Sequence, residues 1–244
     1  MKVVILAAGY GTRLYPLTLR IAKPLLPVNK KPMINYLIDK IEVLKKHFPI
    51  EEIRIVVNDK FYGSFLKWKK KYKVQAKIIN DGSANPDDRR GAVGDIKFAI
   101  KNIKTDWLVL GGDNLFDDNL INFVRFALKN KPHSSLGLYD VRTKKKAARF
   151  GIVKLNKKKR VVEFLEKPKN PPSTLAASCV YFFPEQSLNL LKLFIHANAG
   201  VDASGKYIEW LSEKDKVFGW TFEGRWIDIG HLDSLRKAGE MFRD

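Results

Sequence analysis

The chain is poor in cysteine, in long apolar runs and, over its first segment, in acid. Its single cysteine, Cys179, excludes an intrachain disulfide and sits in the apolar and small-residue run 175–183, which reads as a buried strand. A structural thiol is expected there rather than a nucleophile, since no candidate base stands near it. No stretch approaches the roughly 20 apolar residues needed to span a membrane. The short apolar run after Lys2 passes directly into glycines and an arginine, so it is too short for a signal peptide. No linker, low-complexity tract or fixed-period repeat interrupts the 244 residues. A soluble, cytoplasmic α/β protein is expected, with a single domain over 1–244 whose parts divide at about residue 133.

Acid is outnumbered over the chain as a whole: 26 Asp and Glu face 45 Lys and Arg, for a net charge of +19. A strongly basic balance is also the footprint of nucleic-acid binding. Here, however, the basic residues fall in short scattered clusters (Lys67 to Lys73, Lys144 to Lys146, Lys157 to Arg160), which suits a solvated surface. Neither nucleic acid nor a membrane is expected as partner. A lysine-rich surface also fits a thermophile, and homo-oligomerisation is left open.

What is present is concentrated in the first forty residues. Val3-Val4-Ile5-Leu6 reads as a buried strand, ending abruptly in Ala7-Ala8-Gly9-Tyr10-Gly11-Thr12-Arg13. In an open α/β sheet, ligands bind beyond the carboxyl ends of strands. From Met1 to Ile38 there is no Asp or Glu, while Lys2, Arg13, Arg20, Lys23, Lys30 and Lys31 supply positive charge. Gly9 and Gly11 allow backbone N–H groups to approach an anion, so a polyphosphate is the expected guest. A dinucleotide-binding loop is excluded by Leu14 at the third glycine position, by Pro16 in the would-be helix and by the missing acid further on. A Walker-type loop is excluded because no Gly-Lys-Ser/Thr follows.

The order of elements is read from periodicity. Helices are expected at 33–48, 61–72, 94–102, 120–130, 185–194, 206–213 and 232–242; strands at 52–57, 75–79, 106–110, 135–141, 151–155, 161–165 and around Cys179. The βα alternation of the first half argues for a parallel sheet with helices on both faces, and the second half turns to strands and hairpins. Gly91-Ala92-Val93-Gly94 is a second glycine-rich turn before a helix, read either as a simple helix start or as a backbone that closes on a nucleotide. Asp113, in Gly111-Gly112-Asp113-Asn114, and Asp228, in Trp226-Ile227-Asp228-Ile229-Gly230, each end an apolar strand. Each is read either as a turn brace or, together, as hard oxygen ligands for Mg²⁺ beside a triphosphate. Glu166-Lys167-Pro168 alone reads as an exposed ion pair.

The run LAAGYGTRLYPLT, with AKPLLPV and KPMINY after it, resembles the opening signature of the sugar-phosphate nucleotidylyltransferases, among them the glucose-1-phosphate thymidylyltransferases. Later segments extend the resemblance over nearly the whole chain. It implies a Rossmann-like three-layer α/β/α fold, with a mixed, mostly parallel sheet and additional β-hairpins in a sugar-binding half. It also implies transfer of a nucleotidyl group from a nucleoside triphosphate, dTTP or UTP first, to a sugar 1-phosphate of glucose type, with Mg²⁺. Leu6, Ala7, Ala8, Gly9, Gly11, Thr12, Arg13 and Gly91 would line the nucleotide. Arg13 would meet the β- and γ-phosphates and Lys23 the α-phosphate. Asp113 and Asp228 would hold the metal. Lys167 would meet the sugar phosphate and Glu166 the sugar hydroxyls, with the Gly151 backbone and Tyr181 beside the sugar. Gly94 departs from the pattern, since thymidylyl members typically carry Gln there, and the segment from Asp81 to Arg90 is longer and more polar than usual. A non-catalytic nucleotide-sugar-binding regulatory subunit on the same fold is the alternative; the joint retention of Arg13, Lys23, Asp113, Lys167 and Asp228 argues against it.

Overall fold

The computed structural model describes residues 1–101, 103–198 and 203–243. Strand β1 (Lys2–Leu6) is followed by a tight pair of two-residue strands, β2 (Pro27–Val28) and β3 (Lys31–Pro32). Helix α1 (Met33–Lys45), β4 (Glu52–Val57), α2 (Asp59–Lys71) and β5 (Lys77–Asn80) come next. After α3 (Gly91–Ile100) the chain forms β6 (Trp107–Gly111), β7 (Asn114–Phe116), α4 (Ile121–Lys129), β8 (Ser134–Asp140) and the short α5 (Lys144–Ala147). Then follow β9 (Gly151–Leu155), β10 (Val161–Glu166), β11 (Leu175–Phe183), α6 (Leu188–Ala197), α7 (Ser204–Lys214), β12 (Val217–Thr221), β13 (Trp226–Asp228) and α8 (Leu232–Met241). The architecture is a mixed, mostly parallel sheet with flanking helices.

Two compact units organise the chain, and neither is one continuous segment: Met1–Arg90, Leu110–Leu120 and Gly224–Asp244 form the first, Gly91–Val109 and Ile121–Glu223 the second. The expected division near residue 133 follows a change of sequence pattern; the compact units follow packing, with chain boundaries at 90/91, 109/110, 120/121 and 223/224.

In the first unit, β1 pairs in parallel with β4, and β4 with β5. Val3, Val4 and Ile5 are wholly buried, as β-branched residues of a strand covered on both faces should be. Helix α1 buries Ile34, Leu37, Ile38, Ile41 and Leu44, one apolar stripe at helical spacing. Asn58 caps α2 by accepting from the Phe61 N–H at 3.1 Å, and its own amide donates to the Ala8 carbonyl at 2.9 Å. One side chain thereby starts a helix and anchors the loop beyond β1. The C-terminal segment belongs to this unit: Ile229, Ala238 and Phe242 share a buried cluster with Leu14, Leu26, Val28, Met33 and Leu115.

In the second unit, β8 pairs antiparallel with β11 and parallel with β12. Strands β9 and β10 form an antiparallel hairpin, and β9 also pairs with β11. A bulge interrupts β11 between Ala177 and Tyr181, where Cys179, a half-buried free thiol, takes a φ of +54°. Tyr207 of α7 is buried among Phe183 and Phe194, with ring centroids 5.7 and 5.2 Å away.

Several expected bounds shift. The helix expected from residue 94 starts at Gly91, whose φ of +72° turns the chain into it; its expected end at Asn102 lies outside the described residues. The helix expected at 185–194 opens as a 3-10 turn, Glu185–Ser187, and only then continues as α6. Strand β12 was unmarked in the sequence because Gly219 interrupts its apolar pattern and its partner β8 is remote in the chain.

Gly112 controls where β6 ends. Its N–H donates to the Leu6 carbonyl at 2.9 Å, and a Cβ on it would stand 2.6 Å from that oxygen. Because the obstacle is backbone, Gly112→Ala is expected to cost about 1–3 kcal/mol, read as a lower urea midpoint with an unchanged slope; an unchanged midpoint would show that the ends of β1 and β6 can move apart freely.

Candidate active site

The loop beyond β1 is shaped by Gly11, which takes φ +63°. A side chain there would also meet Thr18 Cγ2 at 3.0 Å and Lys23 Cβ at 3.3 Å. Thr18 is buried and donates to the Gly11 carbonyl at 2.7 Å, closing the turn. Gly9 is different: its φ is not left-handed, and no protein atom lies within 4 Å of where a Cβ would be, so the space over it is open. Leu14, at the place where a dinucleotide loop would need glycine, is buried in the core cluster of this unit. Tyr10, between the two glycines, is buried and donates to the Ser83 carbonyl at 2.8 Å. The polar segment after β5 is thus tied to the loop, and Asp81 braces it by accepting from Ser83 N and Oγ, both at 2.7 Å.

Arg13 lies exposed on the 3-10 turn Thr12–Leu14. Lys23 is buried, and its Nζ stands 2.6 Å from Asp113 Oδ2. The chain reaches Asp113 because β6 ends against β1 and then turns at Gly112. Asp228 arrives from the opposite end of the sequence: β13 pairs antiparallel with β7, placing Asp228 opposite Asn114, and the Ile229 N–H donates to the Asp113 carbonyl at 3.0 Å. A Cβ on Gly230 would meet Arg13 Nη1 at 3.3 Å and Asp228 Oδ2 at 3.4 Å, so these two side chains flank the same small space.

Asn114 was not marked by the sequence, although it adjoins Asp113. Its amide donates to Asp113 Oδ1 at 2.9 Å, and its carbonyl accepts from the Trp226 indole at 2.8 Å. Outside this ribbon, Asp117 receives both the backbone N–H and the Nε of Arg225 at 2.6 Å, a charge-assisted pair that holds β13 in register. Burial by itself would raise the Asp113 carboxyl. The charge and hydrogen bond of Lys23, with the Asn114 amide, outweigh it and hold the group below the ordinary carboxylate range.

The second unit carries the other expected residues. Glu166 ends β10 with its side chain 15% exposed, and Lys167 Nζ lies 3.7 Å from its Oε1. Burial pushes the Glu166 carboxyl up; Lys167 and Lys206 offset this only in part, and Glu209 adds to it. Gly151 begins β9, and a Cβ there would meet the Phe164 ring at 2.6 Å and Glu166 Oε2 at 2.9 Å. Tyr181 is buried in β11, its ring 5.9 Å from that of Phe183 and its hydroxyl 3.4 Å from Ser204 Oγ. Gly91 contributes the left-handed turn at the start of α3.

A family model described as nucleotidyl transferase matches residues 2–244. The chain therefore belongs to that family, the sugar-phosphate nucleotidylyltransferases. The bifunctional protein GlmU of Methanococcus aeolicus is 31% identical over 238 residues, covering 94% of this chain and 51% of that protein. The glucose-1-phosphate thymidylyltransferase of Neisseria meningitidis is 28% identical over 258 residues, covering 99% of this chain and 82% of that protein. A Bacillus anthracis protein assigned as a glucose-1-phosphate thymidylyltransferase, solved in complex with sucrose, superposes with a TM-score of 0.85 at 24% identity, covering 100% of this chain and 96% of that one. The chain spans about half the length of the archaeal relatives it matches.

The Lys23–Asp113 pair makes a prediction with a definite sign. A carboxyl whose folded-state pKa lies below its unfolded value contributes stability at neutral pH and loses it as pH falls through the folded value. Asp113→Asn is therefore expected to be less stable than wild type at pH 7, with the gap closing on acidification below about pH 4. Urea unfolding across that range reads it, and a pH-independent gap would refute the ionic contribution.

Proposed function

We propose that this chain is a nucleotidylyltransferase that joins a nucleoside triphosphate to a sugar 1-phosphate, releasing pyrophosphate. The observation that carries the reading is the grouping in one unit of a buried lysine on an aspartate, a second aspartate delivered beside it by β13, and an arginine flanking the same space. In this reaction an oxygen of the sugar 1-phosphate attacks the α-phosphorus, a new P–O bond forms, and the bond to the bridging oxygen of pyrophosphate breaks. The attacking phosphate is already ionised at neutral pH, so positioning and charge stabilisation suffice.

Lys23 meets the α-phosphate, where charge builds on the equatorial oxygens, and Arg13 meets the β- and γ-phosphates and the departing pyrophosphate. On arrival of the triphosphate, Lys23 exchanges part of its contact with Asp113 for phosphate oxygen. The backbone of residues 6–12 lines the nucleotide, and Gly91 opens the second nucleotide turn. In the second unit Lys167 takes the sugar phosphate, and Glu166 with the Gly151 backbone takes sugar hydroxyls.

The donor set also fits Mg²⁺. Among the described residues no group of three or more metal-ligating side chains occurs, but Asp113 and Asp228 are brought together by the β7–β13 ribbon. Two carboxylates completed by phosphate oxygens and water are what Mg²⁺ takes. When bound, the ion would neutralise and align the triphosphate.

A glucose-type sugar with dTTP or UTP is the substrate pair we favour. Pyrophosphate release across a grid of nucleoside triphosphates and sugar 1-phosphates, with Mg²⁺ and with Asp113→Ala as control, tests it. One pair well above the rest, lost in the control, is the expected result. Arg13→Ala and Lys23→Ala are expected to lower kcat/KM by roughly 10²–10³-fold with folding intact by circular dichroism. A flat grid from a folded protein that still binds nucleotide would replace the reading with the non-catalytic one.

A further inference from the structure

The Glu166 carboxylate lies against two glycines from elements far apart in sequence. A Cβ on Gly151 would stand 2.9 Å from Glu166 Oε2, and one on Gly205, in the first turn of α7, would stand 1.8 Å from the same oxygen and 2.6 Å from Cδ. Gly205 does not owe its identity to backbone conformation, because the positive-φ glycines of the described residues are Gly11, Gly82 and Gly91. Inside a helix with ordinary dihedrals, alanine is the favoured residue. What excludes a side chain at 205 is the carboxylate.

Helix α7 holds the end of β10 in a second way. The Glu166 N–H donates to Glu209 Oε1 at 3.3 Å, and Lys206 Nζ holds the other oxygen of Glu209 at 2.7 Å. The next residue, Lys167, takes φ +50° and donates its N–H to the Phe150 carbonyl at 3.1 Å. The Glu166 side chain is therefore confined between the start of β9 and the first turn of α7.

We propose that Gly205 is a positioning residue for sugar recognition: by leaving a slot in the first turn of α7 it holds the Glu166 carboxylate where sugar hydroxyls are read. The inference rests on the nucleotidylyl-transfer reading above and adds α7 to the elements that set sugar selectivity. The atom in the way is the end of a flexible side chain, so a methyl group at 205 displaces Glu166 rather than unfolding the helix. The consequence falls on recognition and not on the fold.

Gly205→Ala, Glu166→Asp and the double variant test this. Gly205→Ala is expected to raise the KM for the sugar 1-phosphate by about tenfold or more while leaving the KM for the nucleoside triphosphate and the melting temperature near wild type. In the Glu166→Asp background, where the shorter side chain stops short of the slot, the same substitution adds little. An activity-independent readout is the NMR titration of the Glu166 carboxyl, which faces Lys167, Lys206, Glu209 and Tyr181. It titrates above the ordinary range in wild type and is expected to fall back toward that range in Gly205→Ala as the carboxylate reaches solvent. Equal rises in both KM values, an additive double variant or an unmoved titration would overturn the proposal. If wild type transfers to no sugar phosphate, the functional reading and the sugar role fall together, while the shifted titration would still report the packing.

Discussion

The candidate site of the first unit depends on how closely the ends of β1 and β6 approach. With no side chain at 112, the Gly112 N–H reaches the Leu6 carbonyl at 2.9 Å, and Asp113 emerges beside the loop that β1 opens. Any separation of these two strand ends would carry Asp113 away from Lys23. The rest of the site is fitted to that junction: Asn58 ties the loop to α2, and β13 brings Asp228 alongside through its pairing with β7.

Charge then explains why the parts stay together. A buried lysine needs a partner, since an uncompensated charge out of water is costly, and Asp113 is that partner. The Asn114 amide and the Trp226 indole extend the connection from Asp113 to β13. The environment pushes two carboxyls in opposite directions: Asp113 is held low by its lysine, whereas Glu166, with weaker compensation, is pushed up by burial.

Much of the fold was legible because its signals are local. The β-branched run of β1, the helical stripe of α1 and the small residues after Leu6 each dictate their own geometry, and the element order follows from them. The chain's membership of its family was legible for the same reason, as glycines, basic residues and prolines recur at set spacings. The bounds that moved are places where packing overrides propensity, as at the 3-10 entry to α6, or where a partner is remote, as for β12 beside β8. The discontinuity of the compact units was not legible, because the C-terminal helix joins the N-terminal core through Phe242, Ala238 and Ile229.

By itself the sequence determined the chemistry on offer: an acid-free, glycine-containing basic loop with Arg13 and Lys23, two aspartates at strand ends, and a Glu-Lys pair after a strand. Only the tertiary structure decided which of these meet. It paired Lys23 with Asp113 across 90 residues, set Asp228 opposite Asn114, buried Tyr181 in the core and laid Glu166 against a glycine of α7. The physical reason is that residue type and spacing encode local dihedrals and burial, while contacts between distant segments arise from strand register and from which side chains leave room for others.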